Sequence, residues 1–119
     1  MDFKIIAVDF DGTLCENCYP DIGAPKAPIL KYVLSEQKKG AKIILWTCRI
    51  GEHLNAAVRW CNAFGLYFDA VNENLEECIE LFGGDTRKVF AHEYIDDRNS
   101  QRIFIHYDET FKPGLESAT

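Results

Sequence analysis

No stretch of this chain approaches the roughly 20 apolar residues that a membrane-crossing helix needs, so none of its segments is expected to span a bilayer in that form. It has no internal repeat and no low-complexity tract. It also lacks an excess of positive charge. Its formal net charge is −6, which argues against nonspecific binding to nucleic acid or to anionic membranes, although a locally basic pocket remains compatible with it. The N-terminal apolar run has no basic leader and no small-residue cleavage site, and Asp9 ends it early. There is one Cys-x-x-Cys, Cys15 to Cys18, with no second such pair and no close His pair. A four-ligand structural zinc site is therefore not expected. Five cysteines, an odd number, and no secretion signal favour reduced thiols and a cytoplasmic location. His53, His92 and His106 stand alone and read as structural or surface residues.

What is present suits one folded domain. The 119 residues are 47% hydrophobic and 13% aromatic, enough to bury a core without disulfide or metal staples. Residues 3–9 read as a first strand, with Ile5, Ile6 and Val8 in its apolar run. Residues 12–25, with Gly, Pro, Cys and Asn, read as a loop able to act as a small flap. Ile29, Leu30, Val33 and Leu34 recur at helical spacing over 27–39, stopped by Gly40. A second strand is expected at 42–46, a helix at 52–64 stopped by Gly65, and a short strand at 68–71. A short helix follows at 75–82 before Gly83 and Gly84, then strands at 94–95 and 102–105 and a fraying tail over 108–119. Strands alternating with helices predict an α/β fold. The expected form is a three-layer α/β/α sandwich with an open, doubly wound, mainly parallel sheet of about five strands and no cap domain.

The chemistry-bearing residues fall where these strands end. Asp9 and Asp11 occupy alternate positions at the close of the first strand, followed by Gly12 and Thr13. Alternate residues of a strand share a side, and α/β sheets build sites at strand carboxyl ends. Two carboxylates brought together repel, so a divalent cation or a shared proton must offset them. Thr47 closes the second strand, and Asp96-Asp97 follow Tyr94-Ile95. Each motif has a plainer explanation. Asp-x-Asp-Gly alone is often a turn, Thr47 is a plausible cap for the helix near Gly51, and Asp96-Asp97 can cap a following turn. Arg49 and Arg98 suit either a substrate phosphate or carboxylate, or a salt bridge to nearby acids. Cys61, Cys78, Trp46 and Trp60 read as core.

The ordered set resembles the haloacid dehalogenase (HAD) superfamily, mostly Mg-dependent phosphohydrolases. The first motif of that superfamily, Asp-x-Asp-Gly-Thr, is matched by Asp9 to Thr13, the second by Thr47, the third by Lys88 (with Arg87 as a rival), and the fourth by Asp96-Asp97. The resemblance implies an aspartyl-phosphate mechanism with Mg²⁺ as cofactor. Asp9 is then nucleophile and metal ligand, and Asp11 general acid and base with its backbone carbonyl in the metal shell. Asp96 is a carboxylate ligand, and Asp97 a ligand or water holder. Thr47 and Lys88 contact phosphoryl oxygens, and Gly12 and Thr13 form the turn that approaches the phosphate. Neither the gap from Thr13 to Thr47 nor that from Thr47 to Lys88 has room for the cap domains of larger members. An open site implies a phosphorylated small molecule, an exposed phosphate on a larger substrate, or a site closed by a second subunit in a homo-oligomer; the acidic charge makes nucleic acid the weaker candidate. Two rival readings are a response-regulator-like receiver module and an idle binding protein on the same fold. A receiver should carry its phosphoacceptor after the third strand, whereas Asp69 begins Phe68-Asp69-Ala70-Val71.

Overall fold

The Ile- and Val-rich runs form the sheet. Strands β1 (Ile5–Val8), β4 (Lys42–Leu45), β5 (Ala70–Val71) and β6 (Glu93–Ile95) run parallel in the order β5-β4-β1-β6. The two-residue β7 (Ile105–His106) pairs antiparallel with β6, making five strands. All four residues of β1 are buried, as expected of a central strand in a parallel sheet covered by helices. The computed structural model describes residues 2–97 and the backbone of 105–106. Arg98, the expected strand residues 102–104 and the tail 108–119 lie outside the described residues.

Strand alternation divides the interior into two clusters. Ile6, Val8, Ile43 and Leu45 pack with Leu30 and Val33 of α1 (Ala27–Lys38) and with Ala57 and Cys61 of α2 (Gly51–Ala63). Ile5, Ala7 and Ile44 pack with Cys78 of α3 (Glu76–Phe82), Leu75, Val89 and Ala91. The expected helices and parallel strands thus form, with boundaries shifted by one or two residues. The fold is mixed α/β with a mainly parallel sheet.

The segment expected to be a loop departs from that reading. Residues 15–25 form a two-stranded antiparallel hairpin, β2 (Cys15–Cys18) and β3 (Asp21–Pro25), with Cys18 opposite Asp21 and a register shift between Cys15 and Asn17. Three of the four β2 residues are exposed, so the hairpin lacks the apolar alternation that announces a half-buried strand. Its base is tied by backbone bonds from Gly12 N–H to the Cys15 carbonyl and from Lys26 N–H to the Leu14 carbonyl, both 2.8 Å.

At the other end of β6, Glu93 is fully buried and satisfied. Its carboxylate accepts from the Tyr32 hydroxyl at 2.8 and 2.9 Å and pairs with the Lys4 ammonium at 2.9 Å. Lys4 also pairs with Glu36 at 3.2 Å. The network pins α1 to the sheet. Glu93→Ala leaves the Tyr32 hydroxyl without this acceptor and takes one carboxylate from Lys4, which keeps solvent exposure and Glu36 as a partner. It should therefore cost about 2 kcal/mol in urea unfolding. A loss below about 1 kcal/mol would show that the network contributes no more than a surface ion pair.

Candidate active site

The parallel ladders deliver the acidic residues to one place. The Asp9 N–H donates to the Ile95 carbonyl at 3.0 Å and the Trp46 N–H to the Val8 carbonyl at 2.9 Å, so β1, β4 and β6 end side by side. Beyond these ends the carboxylates of Asp9, Asp96 and Asp97 converge, each offering an oxygen within 4.8 Å of the others. An open cavity of about 680 Å³ lies beside them, lined by Asp9, Asp11, Thr47 and Asp96. Asn17 of the hairpin, Trp46, Cys48 and Asn72 complete the lining. Among the described residues no Lys or Arg lines it.

Convergence has an electrostatic cost. Burial, followed by repulsion from Asp96, Asp97 and Asp11, pushes the Asp9 carboxyl up to about 7 against the bond from the Phe10 backbone. Folded protein therefore holds this proton more tightly than unfolded chain does. The Asp9 contribution to stability is full below about pH 4 and is lost as the pH rises toward 7, an effect on the order of a few kcal/mol. Metal-free protein should melt at a lower temperature at pH 8 than at pH 5, and Asp9→Asn should flatten much of that difference. Equal slopes for the two proteins would contradict the assignment.

The Gly12 backbone has φ +83°, and a Cβ there would collide with the Asp97 carboxylate. Only glycine permits both this turn and this approach. Thr13 is buried, and its hydroxyl accepts from the Asp97 N–H at 3.0 Å. It joins the first loop to the end of β6. Thr13 does not line the cavity, and its side chain serves this joint, against the expectation that it contacts substrate.

Arg49 is the larger correction. Of its two expected roles, substrate binding or a salt bridge to a nearby acid, it takes the second. It is 2% exposed, and all five of its side-chain N–H donors are used. Its Nε and Nη2 donate to the two oxygens of Asp11 at 2.7 and 2.8 Å. Its remaining bonds go to the carbonyls of Pro20, Asp21 and His53 at 3.2, 3.0 and 3.2 Å. Phe10 and Tyr19 each lie with ring centroids 5.0 Å from the guanidinium carbon. The bonds to Asp11 outweigh burial and raise the Arg49 pKa. No donor is left for a phosphate. Asp11 lines the cavity as expected, yet its side chain stands with Arg49 rather than in the cluster of Asp9, Asp96 and Asp97.

Thr47 is in place. Its N–H donates to the Asn72 side-chain oxygen at 2.8 Å, and its hydroxyl accepts from the Arg49 N–H at 3.2 Å, while Ile50 takes the N-cap position of α2. Lys88 is not in place. It is exposed, its ammonium lies 5.6 Å from the Tyr94 ring centroid, and it does not line the cavity. Sequence reasoning missed Asn17, Cys48 and Asn72, and it assigned Trp46 wholly to the core. It also missed Lys26, whose ammonium donates to the Gly12 carbonyl at 3.0 Å. Asn72 has φ +56°, a left-handed conformation that Asn tolerates better than most residues. An Asn just past a short strand was the available signal.

No family model matches the chain, and no curated protein does. A solved structure of a conserved protein coded by a locus of Bacteroides thetaiotaomicron is 33% identical to it, over 99% of this chain and 93% of that one, with a TM-score of 0.74. At that identity and coverage, the chain belongs to the same family as this conserved Bacteroides protein.

Proposed function

We propose that this chain is a capless phosphohydrolase of the HAD type, a three-layer α/β/α domain that cleaves phosphomonoesters through an aspartyl-phosphate on Asp9. The observation carrying the reading is the meeting of Asp9, Asp96 and Asp97 beside Thr47 at the ends of adjacent parallel strands. The donors are all oxygen, and they suit a hard cation such as Mg²⁺. Asp9, Asp96 and Asp97 would hold it by their carboxylates and Asp11 by its carbonyl; when bound, it neutralises charge on the carboxylates and on the phosphoryl oxygens.

An Asp9 oxygen attacks phosphorus in line as the bond from phosphorus to the leaving oxygen breaks. Asp11, protonated at the start of the cycle, gives that oxygen its proton and becomes the carboxylate paired with Arg49. Water then attacks the phosphoryl group, Asp11 takes its proton, and the bond to Asp9 breaks to release inorganic phosphate. Each Asp11 oxygen accepts one N–H from Arg49 and keeps a second lone pair for this transfer. Thr47 orients a phosphoryl oxygen through its hydroxyl. The reading gives Lys88 no part. It favours a phosphorylated small molecule or an exposed phosphate on a larger substrate, in the cytoplasm, with nucleic acid disfavoured by net charge and a homo-oligomer as a source of cover for the site. Asp69 speaks against a receiver module, because its carboxylate accepts from the Ile43 N–H at 2.8 Å, near the start of β4 and not at a strand's carboxyl end.

Hydrolysis of p-nitrophenyl phosphate with Mg²⁺, and again after EDTA, tests the proposal. Activity that needs the cation supports it; a rate unchanged by EDTA refutes it.

A further inference from the structure

We infer that Arg49 is a positioning residue which couples the tip of the 15–25 hairpin to the orientation of Asp11. The inference deepens the phosphohydrolase reading and rests on it for the role of Asp11. A guanidinium is planar with five fixed donors. Here two of them fork onto Asp11, two hold the carbonyls of Pro20 and Asp21 at the hairpin turn, and one holds the His53 carbonyl in the first turn of α2. The ring centroids of Tyr19 and Phe10 each lie 5.0 Å from the guanidinium carbon. Lifting the tip would strip two acceptors and an aromatic neighbour from a buried cation, so the hairpin is a fixed wall and not the flap its composition suggests. Its tip acts on the cavity through Asp11. Tyr19 is 55% exposed and does not line the cavity, yet it belongs to this clamp.

General-acid help matters most for a poor leaving group. A misplaced Asp11 should therefore harm cleavage of an alkyl phosphate far more than cleavage of p-nitrophenyl phosphate, whose leaving group departs without a proton. For Arg49→Lys, kcat/KM on an alkyl monoester should fall about 100-fold, and on p-nitrophenyl phosphate only a few-fold. Tyr19→Ala, an exposed change that spares folding, should show the same selectivity at about fivefold, and Tyr19→Phe should restore wild-type behaviour. Equal losses on both esters, or a Tyr19→Ala indistinguishable from wild type, would overturn the coupling. A second readout needs no turnover. The Arg49 Nε–H should exchange slowly with solvent in the full chain by ¹⁵N NMR, and at least several-fold faster in Tyr19→Ala but not in Tyr19→Phe. Should the wild-type protein hydrolyse neither ester with Mg²⁺, the phosphohydrolase reading fails, and the exchange rates alone then decide whether the tip holds Arg49. An Nε–H rate unmoved by Tyr19→Ala would end the proposal on its own.

Discussion

Asp9→Asn is expected to lower phosphomonoester turnover by about ten-thousand-fold or more, because a carboxamide offers no anionic oxygen to phosphorus. The same change should make the metal-free protein more stable. Asp9 sits among Asp96, Asp97 and Asp11, and its charged form is opposed by burial and by all three. An isosteric neutral side chain removes that opposition, and the gain should be larger at pH 8 than at pH 5. A residue kept for folding would behave oppositely, losing stability when replaced. Thermal melts and p-nitrophenyl phosphate assays on one preparation separate the two cases. Activity that persists, or a melting temperature that falls at pH 8, would count against Asp9 as a nucleophile held at a cost to the fold.

Gly12→Ala is the second change with a large expected effect. At φ +83° any side chain is strained, and the new methyl group would meet the Asp97 carboxylate. Relief requires either the first loop or Asp97 to shift. Asp97 is also held by the bond from its N–H to Thr13, so the shift spreads to the joint between the first loop and β6. Mg²⁺ affinity, measured by calorimetry, should fall at least about tenfold, with a stability loss of about 1–3 kcal/mol. Unaltered affinity would mean that Asp97 contributes nothing to cation binding.

The part of the fold built on dense apolar runs was legible. Ile5 to Val8 and Ile43 to Leu45 leave little choice but buried strands, and the helical spacing of Leu30 and Val33 fixes which face of α1 turns inward. Asp9, Thr47, Asp96 and Asp97 were legible because each ends such a strand, and parallel strands bring their ends together. The hairpin was not, since Glu16, Asn17 and Cys18 face solvent and its pairing rests on backbone bonds that leave no mark in composition. Nor was the fate of Arg49. Its partners lie at 10, 11, 19–21 and 53, and only the folded chain shows that they consume every donor. Lys88 met the spacing of a motif, but spacing along the chain does not aim a side chain, and its ammonium settles over Tyr94 instead.

Asp11→Asn offers the most direct measurement, because without a base for the hydrolytic water a phosphorylated enzyme should accumulate. Asp11→Asn protein mixed with p-nitrophenyl phosphate and Mg²⁺, acid-quenched and analysed by peptide mass spectrometry, should gain one phosphoryl group on Asp9, and the gain should vanish with EDTA. Release of p-nitrophenol with no phosphoryl group on Asp9, or with the group on another residue, would contradict the account.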